Sequence, residues 1–203
     1  MRILVAALGL TLSGVGVGLT LCAALGVDPA SVFETGLAGI MGTSFGTAAA
    51  IVNAAIIAIV FFVDKKYLNI STLLAIFLIG YVADGTRALY ALLPSAGSVL
   101  IRALVLLFGV CVMALGVAVY TTPGLGVGAI DLVSQIISDK TGWVYRYVRV
   151  ASDVVFLLVG WLLGGSVGAG TVVAALLLGP LIQLFRPAVY KLTDRIPGCT
   201  HHS

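Results

Sequence analysis

Charge is what this sequence has least of. Only 9% of its 203 residues are Asp, Glu, Lys or Arg, against about 25% in a typical soluble domain. So few charges cannot cover the surface of a globule in water. Disorder is excluded by the opposite excess, because 61% of the residues are hydrophobic and the mean hydropathy is +1.19. The basic residues form no stripe or tail, and the net charge is only +3, so nucleic acid is not expected as a partner. Cysteine is equally sparse: Cys22, Cys111 and Cys199 form no CxxC pair, which argues against a disulfide framework or a zinc site. His201 and His202 stand in a polar tail too poor in other ligands to hold a metal. GxGxxG-like fragments occur without a strand to carry them, so no cofactor is expected.

What remains is a chain of long apolar runs. A spanning helix needs about 20 mostly apolar residues. Six stretches meet that need: Ile3–Leu25, Ser44–Val63, Ile70–Leu93, Val99–Tyr120, Val148–Leu163 and Thr171–Tyr190. Two others, Asp28–Ile40 and Gly128–Lys140, hold 13 residues each and are too short to cross. They read as short re-entrant or interfacial helices. Asp28-Pro29 suits the start of the first, as an N-cap followed by proline. Asp131 falls in the first turn of the second, where the helix dipole favours an acid.

Lys and Arg placement sets the expected orientation. With the N-terminus in the cytoplasm, nine basic residues fall inside and two, Arg87 and Arg102, fall outside. Both termini are therefore expected in the cytoplasm, and the lipid bilayer is the principal partner. The first run follows Arg2 and ends near Ala23-Ala24, as a secretory signal does. It also has a counterpart in mid-chain, so it is expected to be a retained span.

That counterpart belongs to an internal repeat. Shifted by 100 residues, Arg2 lies on Arg102, Gly9 on Gly109, Gly16 on Gly116, Leu25-Gly26-Val27 on Leu125-Gly126-Val127, and Gly42 on Gly142. With one residue deleted, Thr72 lies on Thr171, Gly80 on Gly179 and Arg87 on Arg186. Rare polar groups also recur in register: Ser31 with Asp131, Asn53 with Asp153, and Asp84 with Gln183. Such groups are costly inside a bilayer and should be scarce there. The expected organisation is a first repeat at 1–98, a second at 99–195, and a polar tail at 196–203. Each repeat holds three spans and one short helix. Three is odd, so the second copy must enter from the opposite face. The fold class expected is an all-α membrane protein of six transmembrane helices arranged as two inverted three-helix repeats.

The motifs also carry a resemblance. Gly124-Leu125-Gly126-Val127-Gly128-Ala129-Ile130-Asp131-Leu132 resembles the Gly-rich stretch ending in aspartate of YczE/YyaS/YitT-type bacterial membrane proteins. Thr43-Ser44-Phe45-Gly46-Thr47-Ala48 is similar to that family's start of the second span. Gly170-Thr171 with Leu178-Gly179-Pro180-Leu181-Ile182 resembles its last-span motif. Ser31 stands where the family's first copy has aspartate, and Gln183 where its last span often has an acid. The resemblance implies a multi-pass protein of the bacterial plasma membrane and says little about activity.

Candidate binding residues are the polar groups within or beside the spans: Ser31, Glu34, Asn53, Asp84, Arg87, Asp131, Asp153, Gln183 and Arg186. Asp84 and Arg87 share a helical face and can pair, and Asp153 has Arg149 one turn earlier. Each also has a structural reading: an ion pair, a cap or an interfacial anchor. Gly14 and Gly18 form a GxxxG pair suited to helix packing. No Ser/His dyad, HExxH or paired aspartate motif is present, so enzyme activity is not expected. The function expected is a small secondary transporter or exporter of a small polar solute, working by alternating access between the repeats. The alternative is a partner or regulator that acts through helix contacts and transports nothing. A chain of 20.8 kDa is small for a transporter, and a homodimer is compatible with it.

Overall fold

A computed structural model gives the fold for residues 2–93, 98–124 and 126–193. Those residues form eight α-helices and no strand: α1 (Arg2–Ala23), α2 (Pro29–Met41), α3 (Phe45–Val63), α4 (Ile70–Tyr90), α5 (Val99–Thr121), α6 (Ala129–Thr141), α7 (Tyr145–Leu162) and α8 (Ala169–Thr193), with a 3-10 turn at Lys65–Tyr67. The 196–203 tail lies outside the described residues.

Five helices, α1, α3, α4, α5 and α8, are long and apolar enough to cross a membrane. The expectation of six spans is met only to that extent. Helix α7 is 18 residues long and carries Arg146, Arg149 and Asp153, which makes it too polar to stand with the five. Helices α2 and α6 have 13 residues each. At 1.5 Å per residue that is about 20 Å, short of the roughly 30 Å hydrocarbon core.

Helix α1 is the centre of the molecule. Its glycines remove the side chains that would hold neighbours away. A Cβ on Gly9 would lie 2.9 Å from Gly116 O, and one on Gly16 would lie 2.7 Å from Gly109 O. Rising numbers on α1 meet falling numbers on α5, so the two run antiparallel. Gly14 faces Ile79 and Val82, and Gly18 faces Ala83 and Thr86, which makes α1 and α4 parallel. The GxxxG pair is thus a packing surface for α4. Apolar clusters fill the gaps: Val17 with Phe45, Ala49 and Ala83, and Leu10 with Ala75 and Tyr120.

Both short helices start and stop in the same way. Asp28 caps α2, accepting from Ser31 N at 3.2 Å, and Pro29 follows it. Gly42 ends α2 at φ +62°, and Gly142 ends α6 at φ +72°. Before each helix stands a glycine at φ +101°, Gly26 and Gly126, a backbone conformation that side chains resist. Each of these two glycines lies against a threonine hydroxyl, Gly26 on Thr171 and Gly126 on Thr72. Thr72 also donates to Val127 O at 2.9 Å, and Gly170 N donates to Leu25 O at 2.7 Å. Each half therefore moors the entry to the other half's short helix.

The halves differ at one seam. Helices α3 and α4 pack closely, with Gly80 against Gly46, whereas α7 and α8 make little contact. A Cβ on Gly179 would meet nothing within 4 Å.

Candidate functional site

Most ionisable groups of the protein lie near helix ends, but one set is gathered inside. Its hub is Arg149, a turn into α7. The guanidinium forms an ion pair with Asp131 of α6 through Nη1. Its Nε lies 3.3 Å from Asp153, one turn further along α7. The Tyr120 hydroxyl, from the buried end of α5, donates to the other Asp131 oxygen at 3.2 Å. Asp131 is thus held from two helices.

Asp28 and Glu34 belong to the same constellation. Arg149 and Asp153 both interact electrostatically with Asp28, and Asp28 with Glu34. Asp28, Ser31 and Glu34 recur at three-residue spacing and therefore share one face of the first turns of α2. All three are buried. Helix α2 is held against α7 by its other side, through close backbone approach, Gly160 meeting Phe33 and Gly36 meeting Leu163, and through the Phe33–Phe156 ring contact at 5.6 Å.

The electrostatics are unbalanced. Glu34, which interacts with Asp28, adds a fourth acid to the three, Asp28, Asp131 and Asp153, that lie within electrostatic reach of the Arg149 guanidinium. Only Asp131 and Asp153 pair with it directly. Burial raises the Asp28 carboxyl above its ordinary range. Burial, and the neighbouring Asp28, push Glu34 up to about 8. One oxygen of Asp28, Oδ1, is buried with no hydrogen-bond partner among the described residues. The arrangement can hold and release a positive charge. It is poorly suited to an anion unless that anion displaces a carboxylate from Arg149.

The other candidate residues lie apart from this centre or at its edge. Asp84 accepts from Gly46 N at 2.8 Å in the first turn of α3, and its pair with Arg87 is loose at 3.8 Å. Its geometry is that of a bracket joining α4 to the start of α3. Asn53 is buried on α3. Arg186 is exposed on α8 and acts electrostatically on Tyr145, which Asp153 also reaches, so it stands at the rim of the centre. Gln183 is exposed on the same helix. A separate cleft of about 350 Å³ opens beside α6, lined by Lys66, Tyr67, Asn69 and Gln135 with Val127 and Leu132. None of the four carboxylates lines it.

Sequence reasoning named Asp28 only as a cap and Arg149 only as a partner for Asp153, and it passed over Tyr120. A signal for Asp28 was present: an acid, a serine and a second acid at three-residue intervals in a segment too short to span. Tyr120 gave none, since tyrosine at the end of an apolar run reads first as an interfacial anchor.

Comparison with known proteins gives relatives without assigned activities. The chain is 32% identical over 188 residues to the uncharacterized membrane protein YczE of Bacillus subtilis, covering 92% of this chain and 86% of that one. It is 30% identical over 183 residues to an uncharacterized protein of Haemophilus influenzae, covering 90% and 82%. It is 22% identical over 184 residues to the uncharacterized protein YyaS of Bacillus subtilis, covering 91% and 92%. No solved structure matches it. Residues 1–187 match the model of a family of unknown function, DUF6198. With that match and the YczE and YyaS relationships, the chain belongs to the DUF6198 family of bacterial membrane proteins.

Proposed function

We propose that the protein is a small secondary transporter of the bacterial plasma membrane, moving a small polar solute by alternating access between two inverted halves, with both termini in the cytoplasm. The observation that carries this reading is the partly buried acid-rich centre around Arg149, drawn from both halves. Inside a bilayer such groups are expensive and mark pathways for ions or solutes. Their position, where two short helices begin, is one that inverted-repeat transporters use for solute and coupling-ion sites.

Further support comes from the backbone. The antiparallel packing of α1 on α5 is what a first repeat of three crossings requires, and α2 and α6 begin and end with matching conformations. The unequal seams, closed at α3–α4 and apart at α7–α8, suit a cycle in which the halves exchange shapes. In this reading Asp131, Asp153 and Arg149 hold the solute, and Arg186 and Gln183 line the approach to it.

The test is flux in proteoliposomes. Purified protein is reconstituted and a panel of labelled amines, amino acids, organic acids and sugars is offered under an imposed pH or sodium gradient. Uptake of at least one class, lost in Asp131→Asn, is expected. Absence of uptake for every class, with correctly folded protein in the vesicles, would overturn the reading.

A further inference from the structure

One guanidinium, Arg149, cannot balance the three carboxylates within its reach and a fourth, Glu34, that acts on Asp28. Asp131 and Asp153 share Arg149 between them. Among the described residues, that leaves Asp28 and Glu34 without a cationic partner in contact, although both are more than nine-tenths buried. The free Asp28 Oδ1 is the second sign of a missing positive charge. Its sister oxygen is satisfied by Ser31 N, yet Oδ1 is sealed from solvent with nothing donating to it. An unpaired buried acceptor of this kind is costly, and more so when charged. A donor that comes and goes would satisfy this oxygen.

We propose, building on the transport reading above, that the Asp28–Glu34 pair carries one exchangeable proton and is the proton-coupling site of the cycle. The proton neutralises one of two like charges and, when it rests on Asp28, supplies the hydrogen that Oδ1 lacks. Solute binding at Arg149 and proton loss from the pair are then linked through charge, because Arg149 and Asp153 act directly on Asp28. From α3, which also packs on α2, no titratable side chain faces the pair: Phe45–Val63 contains none. The upward push on Glu34 described above has the direction such a carrier needs.

The experiment is infrared difference spectroscopy of the full-length protein in vesicles, following the carboxylic-acid C=O band through a pH titration, with and without sodium. Proton uptake into the same vesicles is measured with an entrapped pH dye during solute flux. The variants are Glu34→Gln and Asp28→Asn. Asparagine is as good an N-cap as aspartate, so the second variant keeps the start of α2.

A carboxylic-acid band that persists to neutral pH, vanishes in Glu34→Gln and shifts in Asp28→Asn is expected. Solute-driven proton movement should be lost in both variants. A titration unchanged by Glu34→Gln overturns the proposal. So does a band that titrates only in the ordinary carboxylate range, or one displaced by sodium rather than by pH. Solute flux that survives in both variants and ignores pH also overturns it while leaving the transport reading intact. Failure of the transport reading shows separately, as no flux of any solute.

Discussion

Gly9 of α1 and Gly116 of α5 meet backbone to backbone, each occupying the space that the other's Cβ would need. A Cβ on Gly9 would sit 2.9 Å from Gly116 O, and one on Gly116 would sit 2.7 Å from Gly9 O. Gly16 and Gly109 repeat the contact further along. In a bilayer, where helices gain nothing by hiding apolar surface from water, close approach of this kind is a main source of cohesion.

Alanine at Gly116 should therefore force α1 and α5 apart. The obstruction is backbone, which cannot swing away, and overpacking of this type costs about 1–3 kcal/mol. Alanine at Gly39 is the control: it is exposed within α2, has nothing within 4 Å of its added Cβ, and should stabilise the helix by up to about 1 kcal/mol. Thermal unfolding in detergent reads both. Equal melting temperatures for the two variants would show that the α1–α5 seam does not hold the fold.

Arg149 should be the most costly single side chain to remove. Its loss leaves Asp131 and Asp153 facing each other and Asp28 without a compensating charge. Breaking a buried pair from one side costs on the order of 3–5 kcal/mol, less here because each partner is about a quarter exposed. Arg149→Gln should lower the melting temperature sharply, and adding Asp131→Asn should recover part of the loss. A double-mutant cycle measures the recovery, and strictly additive effects would show that the pair carries no coupling.

Acid should favour the fold through Glu34. Its carboxyl is pushed from 4.5 in the unfolded chain up to about 8 in the folded one. Between those values the folded state holds the extra proton, so stability is fully present below about 4.5 and falls as pH rises towards about 8. Glu34→Gln should flatten that decline. A wild-type melting temperature that rises over this range would reverse the sign and remove Glu34 as its cause.

The limits of the short helices were legible because their marks are local. Caps, helix-ending glycines and three-residue polar spacing are all set within one or two turns. Asp28 and Asp131 duly take the positions at the starts of α2 and α6 that their neighbours imply. Contacts between distant helices left no such mark. Asp84 reads with Arg87 as a pair on one face, yet its nearer partner is an amide 38 residues away, Gly46 N. Arg149 reads as the neighbour of Asp153, while its closest approach is to Asp131 across the α6–α7 turn. The different packing of α3–α4 and α7–α8 is invisible in the repeat alignment, since equivalent sequences can occupy two conformations.

That difference gives the last prediction. Gly80 and Gly179 are equivalent in the repeat, but a Cβ on Gly80 would lie 2.9 Å from Gly46 Cα while Gly179 stands clear. If the halves exchange shapes, alanine at Gly80 burdens the present state and alanine at Gly179 burdens the opposite one. A penalty of about 1–3 kcal/mol changes the ratio of two states by roughly five- to 150-fold. Cys22 is a built-in reporter, half-buried on α1 and within electrostatic reach of Arg87 on α4. Maleimide labelling of Cys22 should quicken in Gly80→Ala, which loosens the α3–α4 seam, and should slow or stay level in Gly179→Ala. The two alanines added together should return the rate towards that of the unmodified protein, because the penalties then fall on both states. Labelling that responds alike to both single variants would mean that the seams do not trade places, and that the α7–α8 gap is a fixed feature of the fold.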